Sequence, residues 1–206
     1  MRIEPASRKI AILVSGRGSN FAAIADHTES GKLDAEIVLV LGNRESAPGL
    51  RNARRRGFET LFLSSKDTGR REFDTRAVAA LREKDVAIVC LAGFMRILSP
   101  VFLSAFPYRI LNIHPSLLPA FPGLDVQRQA LEHGAKFSGC TVHFVDERLD
   151  GGPIIRQAVV PILDGDSHED LSGRILTQEH QIYSEAIDLV LSGRCELDGR
   201  RVLIHD

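Results

Sequence analysis

The chain has 206 residues, 44% hydrophobic and 26% charged, with a formal net charge of -1. These proportions suit a single globular domain over 1–206 with a sizeable core, and they exclude disordered, collagen-like and coiled-coil classes. A near-neutral balance supplies no overall basic field for nucleic acid and no acidic one for cationic partners.

In chain order, short β-branched runs alternate with amphipathic segments of helical length. Strands are expected at Lys9–Val14, Glu36–Leu41, Thr60–Leu63, Val86–Leu91 and Arg109–Ile113, with helices near Ser19–Glu29, Gly49–Arg56, Arg71–Glu83, Pro100–Ala105 and Val126–His133. Such alternation predicts βαβ units: an α/β, doubly wound fold on a mostly parallel sheet. After Gly134 the period changes. Lys136–Val145 and Pro153–Pro161 read as extended segments about a hairpin-like turn at Asp150-Gly151-Gly152, followed by a long helix over Glu169–Leu191 capped by Ser167 or Asp166. In open parallel sheets ligands bind beyond the carboxyl ends of the strands. The segments Ser15–Asn20, Gly42–Arg44, Ala92–Arg96 and Asn112–Pro115 should therefore converge on one rim.

Cys90, Cys140 and Cys195 form no CxxC pair, and two of them lie in apolar stretches, which fits reduced core thiols. The N-terminus lacks an apolar signal core, and no apolar run reaches the roughly 18 residues of a membrane helix, so a cytoplasmic location is expected. The histidines other than His114 show no metal-ligand spacing. Arg54-Arg55-Arg56, late in a helix, reads as a solvated face rather than a nucleic-acid site.

Four motifs can carry chemistry. Gly16-Arg17-Gly18-Ser19-Asn20 follows the first strand and opens a helix, where glycines and free N–H groups suit a phosphate; a plain tight turn is the alternative. The third glycine of a dinucleotide fingerprint is absent, Phe21 standing in its place. In Asn112-Ile113-His114-Pro115, the amide and imidazole at i and i+2 share one side of an extended segment. That pair can polarise a carbonyl and trade protons near neutrality, though a purely structural His fits the spacing as well. Asp146–Pro153 places acids at a Gly-rich turn. One of them can orient His114, and an ordinary solvated turn accounts for the same residues. Leu91–Leu98 is apolar for a loop, suiting either a pocket wall for a flat heterocycle or core packing.

Taken together, SGRGSN at 15–20, LAGFMRILSP at 91–100, LNIHPSLLPAFPGLD at 111–125, TVHFVDERLDGGPII at 141–155 and TQEHQIY at 177–183 resemble the folate-dependent formyltransferases nearly end to end. The resemblance is nearest to members that formylate glycinamide ribonucleotide in purine synthesis. It implies a Rossmann-like formyltransferase fold, 10-formyltetrahydrofolate as co-substrate and no metal. It also implies small-molecule substrates without nucleic acid or membrane partners, in a monomer or homodimer. Asn112, His114 and Asp150 match the family's catalytic residues. Gly16, Arg17, Gly18, Ser19, Asn20 and Glu179 match its substrate site. Arg70, Met95, Arg96, Ile97, Leu98, Asn112, Asp146, Glu147, Arg148, Leu149 and Asp150 match its folate pocket, with Arg71 a neighbour able to replace Arg70. Related methionyl-tRNA formyltransferases and formyltetrahydrofolate hydrolases carry extra domains, for which this sequence is expected to have no room. A folate hydrolase, an amino-sugar-nucleotide formyltransferase and a non-catalytic phosphate- or nucleotide-binding module are the rival readings.

Overall fold

A computed structural model describes residues 1–205, so Asp206, the end of the unassigned Cys195–Asp206 segment, lies outside the described residues. The expected elements are present: β1 (Lys9–Val14), α1 (Ser19–Glu29), β2 (Glu36–Gly42), α2 (Pro48–Arg55), β3 (Thr60–Phe62), α3 (Arg70–Glu83), β4 (Ile88–Leu91), α4 (Pro100–Ala105), β5 (Ile110–His114), α5 (Val126–Glu132), β6 (Phe137–Phe144), β7 (Ile154–Pro161) and α6 (His168–Leu191). A terminal pair, β8 (Cys195–Asp198) and β9 (Arg201–Ile204), was not read from the sequence. All lie in one sheet of order β3-β2-β1-β4-β5-β6-β7-β9-β8. The first five positions are parallel, and β6 runs antiparallel to both β5 and β7. Strand order reverses between β1 and β4, which is where a doubly wound sheet opens its crevice.

Two apolar layers sandwich the sheet. On one face Ile12, Val14, Cys90, Leu111 and Val142 pack under α1, α2 and α6, through Phe21, Leu50 and Tyr183. On the other, Leu13, Leu41, Val89 and Leu91 pack under α3 and α4, through Phe73 and Phe102. The parallel strands are buried on both faces and are therefore continuously apolar. Ser167 caps α6 in a reciprocal box with Asp170, leaving Asp166 to pair with Arg174 at 2.7 Å. The fully buried Tyr183 hydroxyl donates to the carbonyls of Leu91 and Leu111, both at 3.0 Å, tying α6 to the ends of β4 and β5. The three cysteines are free and buried, and burial lifts the Cys140 thiol to about 12. Arg56 is no solvated cation: it spans from α2 to Asp26 and Glu29 of α1, 2.7 Å from each. Among the described residues, no helix is long and apolar enough to cross a membrane.

Register places a compositional change across one face. The row of adjacent residues Leu41, Leu13, Leu91, Asn112 and His143 runs over β2, β1, β4, β5 and β6. The first three belong to the layer under α3 and α4; the last two are polar. The sheet is thus amphipathic along its width as well as through its thickness.

Candidate functional site

Two of the four segments expected at the switch point, Ser15–Asn20 and Ala92–Arg96, are bonded to each other. Ser15, just past β1, donates its N–H to Gly93 O at 3.2 Å, and its Oγ accepts from Met95 N at 2.8 Å. Gly49 N donates to Gly16 O at 3.0 Å. Gly18 caps α1 with φ 74°, and a Cβ there would sit 2.5 Å from Gly49 Cα, so the turn needs glycine for both conformation and contact. No side chain caps α1, and its first turn has no acid. The N–H groups at Ser19 and Asn20 therefore face the rim with the positive end of the helix dipole, beside the exposed Arg17. Buried Asn20 donates Nδ2–H to Glu179 Oε2 at 2.8 Å, joining α1 to α6. Glu179 is 7% exposed. Burial pushes its carboxyl above the usual range, against the Asn20 bond and the charges of His114 and Arg17.

Asn112 and His114 were expected at the carboxyl end of a strand, in the segment Asn112–Pro115. Asn112 lies within β5, as the expected strand Arg109–Ile113 has it, and the strand runs one residue further, to His114, because β6 extends the ladder to the pair His114↔Thr141 before Pro115 ends it. Their side chains consequently stand on the sheet face and not beyond its edge. Asp150 arrives from the β6–β7 connection. That connection is a loop over 145–153 that joins two antiparallel strands, in line with the hairpin-like turn expected between Val145 and Pro153. A Cβ at Gly152 would collide with the Phe144 carbonyl, which explains the glycine. Asp150 adopts φ 48°, an uncommon conformation for a side-chain-bearing residue. Its Oδ2 lies 3.5 Å from His114 Nδ1 and accepts from Gly123 N at 2.9 Å, while Oδ1 lies 3.9 Å from His143 Nε2. His114 Nε2 is 2.9 Å from Phe121 O. Each ring nitrogen of His114 thus faces an oxygen, Nδ1 the Asp150 carboxylate and Nε2 the Phe121 carbonyl. Sequence reasoning passed over His143, which lies 3.2 Å from Asn112 Nδ2. The signal was Thr141 and His143, two polar residues at strand spacing between the buried Cys140, Val142 and Phe144.

The residues matched to a folate pocket divide. Met95 and Ile97 are 61% and 58% exposed, and Leu149 63%, so all three are open to a ligand. Leu98 is core, packed in the layer under α3 and α4. Arg96 lies over the Phe73 ring, 4.4 Å from its centroid. Asp146 is held by Arg148, with Nη2 at 2.5 Å, and Glu147 is exposed. Arg70 and Arg71 both line a surface groove at the start of α3. Among the described residues, no group of three or more His, Cys, Asp or Glu side chains is arranged to hold a metal ion.

The chain is 44% identical over 201 residues to phosphoribosylglycinamide formyltransferase of Escherichia coli (strain K12), covering 94% of this chain and 95% of that protein. It is 46% identical over 189 residues to the trifunctional purine biosynthetic protein adenosine-3 of Drosophila melanogaster, and there it spans only 14% of the relative's length. The crystal structure of glycinamide ribonucleotide transformylase 1 from Symbiobacterium toebii superposes with a TM-score of 0.95 at 51% identity, over 97% of this chain and 95% of that one. With residues 8–187 also matching the sequence profile of the formyl transferases, the chain belongs to the formyl transferase family.

Proposed function

We infer that this chain transfers the formyl group of 10-formyltetrahydrofolate to the amine of glycinamide ribonucleotide, in de novo purine synthesis. Residues 1–206 act as one formyltransferase domain in the cytoplasm. The observation that carries the reading is the placement of Asp150 3.5 Å from His114, two residues along β5 from Asn112, in a chain whose Asn20–Glu179 pair and Gly16–Ser19 turn offer an acceptor site. Full-length likeness to the Escherichia coli formyltransferase supports the same acceptor.

The ribonucleotide phosphate sits at Gly16–Asn20, where helix N–H groups and Arg17 neutralise it. Glu179 accepts from the acceptor's donor groups, and the heterocycle of the folate lies against Met95–Leu98 and Asp146–Asp150. The uncharged amine attacks the formyl carbon, forming the C–N bond and a tetrahedral oxyanion. An Asn112 N–H and the charge of protonated His114 stabilise that oxyanion. Asp150 orients the His114 ring and helps carry the proton lost by the amine to the departing folate nitrogen, as the old C–N bond breaks. No side-chain nucleophile is needed, and fixing both substrates in one crevice supplies much of the acceleration.

A spectroscopic turnover assay with formyl-folate, with and without glycinamide ribonucleotide, tests the reading. Loss of the formyl group should require the ribonucleotide. Equal loss without it makes the protein a formyl-folate hydrolase, and no loss from folded protein points to a binding module.

A further inference from the structure

His143 is 2% exposed and faces Asn112 directly across the β5–β6 ladder. Its Nδ1 lies 2.8 Å from the Phe144 carbonyl oxygen. A carbonyl only accepts, so Nδ1 carries the hydrogen, and in the neutral ring Nε2 is a bare lone pair. Asn112 Nδ2, at 3.2 Å, donates one of its two N–H bonds to that lone pair. Turning the amide over would set the Asn112 carbonyl oxygen against Nε2, lone pair against lone pair. One orientation of the amide is therefore enforced, and it leaves the second N–H unused. Burial keeps the ring neutral by holding its pKa below the ordinary value, with the Phe144 bond, Asp150 and Asp146 pulling the other way and His114 assisting. No other charged group faces it from the neighbouring strands, whose paired residues are Asn112 and Ile154.

We propose that His143 is a positioning residue for formyl transfer: its tautomer, locked by the Phe144 carbonyl, fixes the orientation of the Asn112 amide and so aims the free N–H at the oxyanion. The proposal rests on the reading that Asn112 supplies that hydrogen bond. The residue touches neither substrate in this scheme; it acts entirely through Asn112.

Kinetics on a double-mutant cycle test it, using formyl-folate and glycinamide ribonucleotide. Substituting His143→Leu removes the acceptor and should lower kcat by about tenfold to a hundredfold, somewhat less than deleting an oxyanion donor outright, with KM for both substrates within about twofold. His143→Gln, which returns an acceptor oxygen without a titrating ring, should recover most of that loss. In an Asn112→Ala background, His143→Leu should cost nothing further, since residues acting as one unit are non-additive. An equal loss in both backgrounds overturns the proposal, because His143 would then act independently of the amide. Equal failure of His143→Gln and His143→Leu, with both folded, does the same. Wild-type protein that shows no ribonucleotide-dependent turnover overturns instead the functional reading beneath it.

Discussion

Substituting Glu179→Gln should stabilise the protein while weakening its acceptor site. Glu179 is a carboxylate at 7% exposure whose direct partner is Asn20 Nδ2 at 2.8 Å. Asn20 Oδ1 is itself buried without a hydrogen-bond partner among the described residues. A glutamine at 179 would keep the first bond through its carbonyl oxygen and offer its amide N–H to Asn20 Oδ1, pairing two amides side by side. Relieving an unsatisfied buried acceptor is worth about 1–3 kcal/mol. Taking the lower part of that range, the gain is about 1–2 kcal/mol, or about 2–8 °C in Tm for a chain of this size. The effect carries a pH signature. The folded-state pKa of Glu179 is raised above its ordinary 4.5, so this site stabilises the wild type fully below that value and less as pH rises through the folded value. Glutamine does not titrate. Urea midpoints should therefore separate more at pH 8 than at pH 5, with the variant higher. The same substitution should raise KM for the ribonucleotide about tenfold or more, the scale of losing a charged hydrogen bond. A variant no more stable than wild type at pH 8 would refute the reasoning, because the charge would then already be fully compensated.

Four further substitutions probe chemistry and backbone. Asp150→Asn and His114→Ala should each lower turnover by about two or more powers of ten, the usual scale for a positioned acid–base group; near-normal rates in both would remove them from the mechanism. Gly18→Ala should destabilise by about 1–3 kcal/mol, through its left-handed φ of 74° and a Cβ 2.5 Å from Gly49 Cα. Gly16→Ala, whose Cβ meets nothing within 4 Å, should change the urea midpoint by less than about 0.5 kcal/mol equivalent.

Much of the parallel half was legible because its signals are local. Strand β1 is a continuous apolar run ended by a Gly-rich turn, and α6 begins at a Ser167 cap. The second half depends on pairing that periodicity does not encode. Whether β5 stops at Ile113 or runs to His114 is decided by Thr141 on β6, far along the chain. The Asp-Gly-Gly signal marked a reversal correctly. The loop is longer than a two-residue turn because Asp150 must fold back over the sheet to reach His114. Leu91–Leu98 suited either a pocket wall or core packing, and tertiary packing took Leu98 into the core. His143 was passed over because its significance lies in facing Asn112, a relation of register and not of spacing. The short β8 and β9 carry little pattern of their own; β8 packs Cys195 and Leu197 into the larger core layer.

The location of Asn112 and His114 on a central strand, the second at its last residue, also constrains how such a site can diversify. β5 is bonded between β4 and β6, so its backbone cannot shift to suit a new acceptor without opening the middle of the sheet. The segments that cover the two residues, 116–125 and 145–153, are irregular and belong to neither core layer apart from partly buried Val145. New selectivity can therefore accumulate in those loops by substitution or insertion while Asn112 and His114 stay in place. Divergence of that kind draws little on folding stability, and it leaves the Asn112 amide and the His114 imidazole fixed in place.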